Sequence, residues 1–531
     1  AAEAPPRRLL GAPAGPPGPA LEDEVALPGL GASQEGLPKM YSGFLEAGEG
    51  AHLHYVHIES ENDPASDPLV LWLNGGPGAS SLMGMLTEFG PLIIGGDGDV
   101  IRNPYSWSQS ANFLFIESPS GVGFSWCDAM LSGGVCANND TSTAYENLAA
   151  LHSFVEKFPN FAGRDFMIWG ESYAGVYVPM LALLVSSDGS LDLNLQGFAA
   201  GDPCTADAYQ TDVDRLGFSL EYAYRHNLIS EGMHRELQGC TDARRRNAEP
   251  CRSQWRRFYI STSGGNGAGP DMHPLPGDGF LDPYMAYGPN NGPFWEATAR
   301  WLNRDDVQEA LHVKGTPGAD PWSLFAVNLD YTKLYSACSE SSHPMYNTSM
   351  IEVYQQLVGK VPNIIVFSGD VDPSVQMRGT LAAVEAMGLK EVEGGSWRPW
   401  FIRTRGNGAE LLEEKSPYWG LELQGHATGV QLGGYVQEFD GLTFVTVRDA
   451  GHMVPQYKPI AGLHLFNMGV QNRRLSPLLP EDAIAGATDA QFFGDATRQG
   501  ALGKWVEEAQ SEEYVGGKGS PSAASRLSQR P

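Results

Sequence analysis

Short apolar runs bounded by turn-forming residues recur along the chain and predict buried β-strands. Six runs have this form: 68–73, 112–116, 165–169, 195–200, 363–367 and 442–447. Between 142 and 157, apolar residues at near-helical spacing predict a helix that Ser142 would cap: Ala144, Leu148, Leu151, Phe154 and Val155. Strands that alternate with helices predict an α/β fold, with a mostly parallel twisted central sheet flanked by helices.

This alternation divides the chain into segments. Residues 39–203 and 346–477 show the alternation of strands and helices and form the predicted core. Residues 204–345 do not show it and are interpreted as an inserted cap region. The cap contains a basic cluster at 244–246 and a Gly/Pro-rich stretch at 263–293. Residues 1–38, rich in Ala, Gly and Pro, are expected to be disordered. The composition of the C-terminal tail, 478–531, leaves its order open, although three aromatic residues could pack locally: Phe492, Phe493 and Trp505.

Charge and length exclude several classes of protein. The 531 residues are 42% hydrophobic, enough for one large core or two ordinary ones. The chain has 63 acidic and 35 basic residues and a formal net charge of −28, which argues against nucleic acid or an anionic membrane surface as a partner. No stretch reaches the roughly 18 apolar residues that a membrane span needs. No cofactor is indicated.

The cysteines and two glycosylation sequons favour the secretory pathway. Six cysteines lack the doubled C-x-x-C spacing of a zinc site, so we expect disulfides and no metal site. Sequons at Asn139 and Asn347 are compatible with N-glycosylation. The chain begins at Ala1, as it would after removal of a signal peptide or if its first residues were missing from the sequence. We expect a vacuolar, lysosomal or extracellular location.

Ser172 is the candidate nucleophile. The strand at 165–169 runs into Gly170-Glu171-Ser172-Tyr173-Ala174-Gly175, and an apolar helical segment follows. A strand, a tight turn and a helix hold a nucleophilic serine above the edge of a sheet, with small neighbours where the backbone is crowded. The strict G-x-S-x-G pattern is not met, because Ala174 occupies the fifth place. The alternative is an ordinary loop serine.

A glycine-rich loop follows the first of these strands. Asn74-Gly75-Gly76-Pro77-Gly78 lets backbone N–H groups approach a developing negative charge. We expect the N–H groups of Gly76 and Tyr173 to form the oxyanion hole. A simple Gly-rich turn is the alternative.

Two further strands end in acid and base candidates. The strand at 363–367 is followed by Ser368-Gly369-Asp370-Val371-Asp372, and the strand at 442–447 leads to His452. Both groups lie just beyond a strand's carboxyl end, where α/β folds build their sites. The chain order Ser, Asp, His is that of α/β-hydrolases. Spacing alone leaves open whether Asp370 or Asp372 is the triad acid; the other could cap the turn.

These blocks resemble the signatures of the serine carboxypeptidase family, which has the α/β-hydrolase fold. The resemblance spans about 39–470 and includes four blocks: Trp72-Leu-Asn-Gly-Gly-Pro-Gly, Gly170-Glu-Ser-Tyr-Ala-Gly, Ser368-Gly-Asp-Val-Asp and Gly451-His-Met-Val-Pro. It implies that Ser172 is the nucleophile, His452 the general base and then acid, and Asp372 the residue that orients the imidazole.

The resemblance also implies a site for the terminal carboxylate of a peptide or protein substrate, made by Trp72, Asn74, Gly75, Glu88 and Glu171. Two adjacent carboxyl groups cannot both ionise cheaply, so at least one would hold a proton at acidic pH and donate it to the substrate carboxylate. We therefore expect release of C-terminal residues to be favoured at acidic pH.

One departure from the family concerns Ala79, where members commonly have a cysteine paired to the cap. Of the fifteen pairings that six cysteines allow, the resemblance suggests Cys127–Cys136, Cys204–Cys338 and Cys240–Cys251.

Two other functions fit the same residues. An acyltransferase would pass the acyl group to an alcohol or amine instead of water, and a noncatalytic binding or protective protein would retain the fold without turnover. Oligomeric state and residue preference are not indicated by the sequence.

Overall fold

The computed structural model describes residues 21–30, 35–210, 216–241, 248–263, 292–319, 321–339, 345–404, 429–495 and 497–516. In chain order, the strands within these ranges are β1 (Met40–Glu46), β2 (Ala51–Ile58), β3 (Leu69–Leu73), β4 (Leu92–Ile94), β5 (Val100–Arg102), β6 (Asn112–Ile116), β7 (Trp126–Cys127), β8 (Cys136–Asn139), β9 (Arg164–Glu171), β10 (Leu193–Gly201), β11 (Leu329–Thr332), β12 (Asn363–Gly369), β13 (Arg398–Thr404), β14 (Gly429–Phe439), β15 (Leu442–Val447), β16 (Gly494–Asp495) and β17 (Arg498–Gln499).

Within the described ranges, eleven of these strands form one mixed sheet. Its order is β1-β2-β6-β3-β9-β10-β12-β15-β14-β13, and β7 pairs with β2. The six strands from β6 to β15 are parallel and correspond to the six apolar runs of the sequence, while the pairs at both ends of the sheet are antiparallel.

The register aligns the carboxyl ends of the parallel strands. Leu73 of β3 pairs with Gly170 of β9, and Gly201 of β10 pairs with both Glu171 and Phe367. The loops that follow these strands therefore leave the sheet at one edge, where an α/β fold places its site.

Helices cover both faces of the sheet. They are α1 (Asp140–Lys157), α2 (Ala174–Val185), α3 (Asp207–Gln210), α4 (Leu216–Arg225), α5 (Glu231–Gln238), α6 (Cys251–Ser263), α7 (Gly292–Leu302), α8 (Asp305–Ala310), α9 (Ile351–Leu357), α10 (Met377–Glu385), α11 (Val454–Tyr457), α12 (Pro459–Val470), α13 (Glu481–Gly486), α14 (Asp489–Phe493), α15 (Ala501–Ala509) and α16 (Glu512–Val515).

Alternation along the strands supplies two cores. On β3, Val70 and Trp72 point into one buried cluster, whereas Leu69, Leu71 and Leu73 point into the other. A strand that is buried on both faces has a continuous apolar sequence, and β3 could therefore be predicted from the sequence.

The predicted cap of helix α1 is wrong by three residues. Asn139 is the N-cap, and its side chain accepts hydrogen bonds from the N–H groups of Thr141 and Ser142. Ser142 is the third helical residue and completes a reciprocal capping box by binding the N–H of Asn139.

The expected boundary of the disordered N-terminal segment is also wrong for 21–30. Leu27 and Leu30 are buried in the core, and Asp23 accepts a hydrogen bond of 2.6 Å from the Tyr55 hydroxyl and forms an ion pair with Lys157. Two apolar side chains and one buried polar anchor suffice to order this stretch in spite of its composition. Residues 1–20 and 31–34 lie outside the described residues.

Part of the inserted region has a small core of its own. Helices α4, α5 and α6 pack around Leu237, Trp255 and Phe258, and a disulfide between Cys240 and Cys251 joins α5 to α6. The predicted basic cluster and most of the Gly/Pro-rich stretch, at 242–247 and 264–291, lie outside the described residues.

The C-terminal tail folds onto the core as far as residue 516. Arg403 of β13 donates a 3.4 Å hydrogen bond to the carbonyl of Gln510, and Val515 is buried. Residues 517–531 lie outside the described residues. Among the helices that are described, none is long and apolar enough to cross a membrane.

Candidate active site

Ser172 lies on a sharp turn between β9 and α2. Its φ of 62° is in the left-handed region, which is unusual for a residue with a side chain, and its N–H donates a 2.9 Å hydrogen bond to the carbonyl of Gly201. A Cβ on Gly170 would stand 2.7 Å from the Cβ of Ala174, so the turn needs the small neighbours that the sequence provides. Ser172 is partly exposed between two buried residues. Its hydroxyl is thus presented to a ligand on a rigid turn.

The glycine-rich loop after β3 lies directly against this turn. A Cβ on Gly75 would stand 2.8 Å from the Cβ of Ser172 and would collide with the backbone nitrogen of Tyr173. The next residue, Gly76, has a φ of 110°. Only a glycine at position 75 allows the loop and the turn to approach so closely, and this brings backbone N–H groups from both segments to one place.

The loops after β12 and β15 bring an acid to a histidine. His452 Nδ1 lies 2.7 Å from Asp372 Oδ2, and both side chains are buried. Asp372 also accepts hydrogen bonds from the N–H groups of Ser374 and Val375, at 2.7 and 3.1 Å. These contacts fix the carboxylate, and the carboxylate fixes the orientation of the imidazole ring.

Asp370, the alternative acid, has a different place. Its Oδ1 accepts a 2.7 Å hydrogen bond from the N–H of Asp449, which ties the two loops together. Burial raises the pKa of Asp370 to about 6. The geometry therefore associates Asp372 with His452 and gives Asp370 the part of a turn anchor.

A polar cluster adjoins Ser172 on the side of β3. The Trp72 indole N–H and the Gly84 N–H donate to Asn74 Oδ1 at 2.8 and 3.1 Å. The Asn74 amide nitrogen in turn donates to Glu171 Oε1 at 2.9 Å and to Glu88 Oε1 at 3.4 Å. The structure thus brings together the residues that the resemblance assigned to carboxylate binding.

The two glutamates share a strongly perturbed environment. Glu88 and Glu171 are 0% and 3% exposed. Burial raises the pKa of Glu88 to about 7. The pKa of Glu171 is raised well above its ordinary value, first by burial and then by the charge of Glu88. At acidic pH this pair holds protons and can donate hydrogen bonds to an anion.

Sequence reasoning missed a fourth buried carboxyl group, Asp202. It follows the end of β10 and is 0% exposed. Ligating atoms of Asp202, Asp372 and His452 lie within 4.8 Å of one another, the single such group among the described residues that could hold a metal ion. The signal was present, since Asp202 follows a predicted strand as Asp372 and His452 do.

The structure contains three disulfides, Cys127–Cys136, Cys204–Cys338 and Cys240–Cys251, the pairing that the resemblance suggested. Of the two sequons, Asn347 is exposed, whereas Asn139 is half-buried and caps α1.

Comparisons with known proteins agree on one family. The sequence profile of the serine carboxypeptidase family matches residues 28–472. The chain is 34% identical to the lysosomal protective protein of Mus musculus, over 84% of this chain and 93% of that protein. It is 32% identical to serine carboxypeptidase-like 36 of Arabidopsis thaliana, over 82% of this chain and 83% of that protein.

Among solved structures, Kex1(delta)p, a prohormone-processing carboxypeptidase from Saccharomyces cerevisiae, superposes with a TM-score of 0.61 at 20% identity, covering 86% of this chain and 97% of that chain. This likeness concerns the fold, and together with the mostly parallel sheet it confirms the predicted α/β-hydrolase fold.

Proposed function

Because this chain belongs to the serine carboxypeptidase family, we propose that it removes the C-terminal residue from peptides and proteins through an acyl-enzyme, most efficiently at acidic pH. One observation carries the proposal: a pair of buried carboxyl groups lies beside the turn of Ser172 and shares hydrogen bonds with Asn74. A general esterase has no need of such a pair, whereas a carboxypeptidase must bind one negative charge next to its nucleophile.

The triad performs acyl transfer in two halves. Ser172 Oγ attacks the last peptide carbonyl while His452 takes its proton, and His452 then gives that proton to the leaving amino acid. Water attacks the acyl-enzyme with His452 again as base. Asp372 keeps the imidazole in the tautomer with a proton on Nδ1 and stabilises the imidazolium.

The tetrahedral intermediate carries an oxyanion. The N–H groups of Gly76 and Tyr173 are the proposed donors, because the close approach of Gly75 to Ser172 brings both segments to the reacting carbon. Donors held in place before the reaction cost no reorganisation when the charge develops.

Glu88 and Glu171, here called the acid pair, explain why a substrate with a free terminal carboxylate and a low pH would be preferred. Trp72 orients Asn74, and the amides of Asn74 and Gly75, together with protonated Glu88 and Glu171, donate to the terminal carboxylate. As the pH rises and the pair loses its protons, its negative charge repels that carboxylate and binding weakens.

One assay separates carboxypeptidase from acyltransferase and scaffold. Blocked dipeptides with free or amidated C termini would be incubated with the protein, and a fluorophosphonate would test for an activated serine. Release from the free acids alone supports the proposal. Labelling of Ser172 without release favours acyl transfer to another acceptor, and absence of labelling indicates a noncatalytic protein. The variant Ser172→Ala should lose both signals.

The location that we propose is the secretory pathway, in a vacuole or lysosome or outside the cell. Three disulfides require an oxidising compartment for their formation, and an acid optimum suits an acidic one. Glycosylation at Asn347 and Asn139 is part of this proposal. Treatment of the natural protein with an endoglycosidase should reduce its mass if the sequons are used.

A further inference from the structure

Asp202 lies between the turn that carries Ser172 and the loop after β12 that carries Asp372. Gly201, just before Asp202, and Cys204, two residues after it, bind the backbone of Ser172. The Ser172 N–H donates to the carbonyl of Gly201, and the Ser172 carbonyl accepts from the N–H of Cys204, both at 2.9 Å. The N–H of Asp202 itself donates to the carbonyl of Phe367 on β12 at 2.8 Å. Its φ of 41° is in the left-handed region. This backbone conformation directs a carboxyl group into the centre of the site.

The Asp202 carboxyl group has partners at the carboxyl end of β12, just before the loop that carries Asp372. Oδ1 accepts a 2.8 Å hydrogen bond from the Ser368 hydroxyl and a 3.0 Å hydrogen bond from the N–H of Gly369. One oxygen of Asp202 also lies within 4.8 Å of a ligating atom of Asp372 and of His452. Asp202 is therefore a neighbour of the carboxylate that orients the imidazole.

The charged groups around Asp202 come from three segments. Asp372 faces it from the loop after β12, His452 from the loop after β15, and Glu171 from the end of β9, where Asp202 contributes to the raised pKa of that glutamate. Burial, and after it the charge of Asp372, raises the pKa of Asp202 well above its ordinary value. Two adjacent buried carboxyl groups cannot both ionise cheaply, so Asp202 keeps its proton next to Asp372.

We infer that Asp202 is a positioning residue whose carboxyl O–H donates a hydrogen bond to Asp372 and thereby holds the Asp372–His452 pair for acyl transfer. The inference rests on the proposed function. When Asp202 ionises, the hydrogen bond is lost and a second negative charge repels Asp372. The chemical step therefore fails as the pH rises, independently of any effect on the substrate carboxylate.

Because this effect does not involve the substrate carboxylate, it can be tested with a reagent that lacks one. A fluorophosphonate has no terminal carboxylate, so the rate at which it labels Ser172 reports on activation of the serine and not on the Glu88–Glu171 pair. The labelling rate would be measured from about pH 4 to about pH 9, a range that spans the ordinary and the perturbed carboxyl pKa values. The wild-type rate should fall towards the alkaline end of this range as Asp202 loses its proton.

The variant Asp202→Asn keeps a hydrogen-bond donor that cannot ionise. The alkaline limb of its pH–rate profile should disappear, because position 202 no longer ionises. The matched control is Asp165→Asn, the same change at an exposed position on β9, whose profile should follow the wild type. An Asp202→Asn profile that superposes on the wild type would overturn the inference.

A second variant keeps the inference testable if Asp202→Asn does not fold. Ser368→Ala removes a hydrogen bond that favours the ionised form of Asp202, so the alkaline limb of this variant's pH–rate profile should move to higher pH. An unmoved or lowered limb would contradict the inference. So would loss of labelling on dialysis against a chelator with recovery on adding a divalent cation, because the three side chains would then be metal ligands. Failure of the proposed function looks different, since the wild type itself would then not be labelled or would release no residue.

Discussion

Two aspartates on one turn, Asp370 and Asp372, have different contacts, and this difference can be tested. The variant Asp372→Asn should lower kcat by about 10⁴-fold, the effect of losing the carboxylate that selects the correct imidazole tautomer in such a triad. Asp370→Asn should change kcat little, because an asparagine oxygen can still accept the hydrogen bond from Asp449. Steady-state kinetics on a blocked dipeptide would measure both. A large loss in Asp370→Asn with activity retained in Asp372→Asn would reverse the assignment.

The acid pair predicts how substrate affinity depends on pH. Glu88 has a raised pKa of about 7, so the wild-type KM for a dipeptide with a free C terminus should rise as the pH approaches and passes this value. In the double variant Glu88→Gln/Glu171→Gln neither side chain can ionise, and KM should vary much less with pH. The exposed pair Glu507→Gln/Glu508→Gln removes the same charge elsewhere and serves as control. Parallel profiles for the acid-pair variant and wild type would reject this explanation.

The sequence alone could locate the catalytic candidates because each follows an apolar strand run. Spacing did not choose between Asp370 and Asp372, which lie on one turn, and only the family resemblance favoured Asp372. The hydrogen bonds that separate their roles join them to residues distant in the chain. Asp202 also follows a predicted strand, but its proximity to Asp372 and His452 was overlooked because both are far from it in the chain. Their approach depends on the order of strands in the sheet.

At the scale of elements, buried strands were predictable because they are apolar on both faces, whereas the start of α1 was not. Asn139 and Ser142 are both good capping residues, and which of them caps α1 depends on where β8 ends.

The glycine-rich loop after β3 lacks a disulfide at Ala79, where family members commonly have a cysteine. Here the next residue, Ser80, binds the buried carboxylate of Glu117, which also accepts a 2.8 Å hydrogen bond from the Trp322 indole N–H. Hydrogen bonds thus connect the loop to the inserted region.

This network predicts a cost for removing one donor. Trp322→Phe keeps an aromatic side chain but loses the indole N–H and its hydrogen bond to Glu117. The free energy of unfolding should fall by at least about 2 kcal/mol, the usual range for a buried hydrogen bond to a charged group, because the smaller ring also leaves a cavity. Trp397→Phe, at a position that is 38% exposed, is the matched control. Chemical denaturation would measure both. Equal stability of the two variants would mean that the network does not hold the loop.

On the scale of the whole molecule, buried ionisable groups make stability depend on pH in two opposing ways. Burial lowers the pKa values of His57 and His464 to about 4, so these side chains favour unfolding as the pH falls below about 6.5, where they gain protons in the unfolded chain. Burial raises the pKa values of Glu88, Glu171 and Asp202, so their protonated forms stabilise the fold at low pH and this stabilisation is lost as the pH rises. The two effects oppose each other below about pH 6.5.

Between about pH 6.5 and about pH 8 the carboxyl groups dominate, and stability should decrease. Each carboxyl group that still holds its proton in the folded state, and has lost it in the unfolded chain, lowers the free energy of unfolding by up to about 1.4 kcal/mol per pH unit. Glu88→Gln/Glu171→Gln should reduce this slope and leave the share of Asp202, while Glu507→Gln/Glu508→Gln should retain the wild-type slope. Thermal unfolding across this range would measure all three proteins. A wild type whose stability rises from pH 6.5 to 8 would show that the buried carboxyl groups do not hold protons in the folded state, and the acid-pair mechanism would lose its basis.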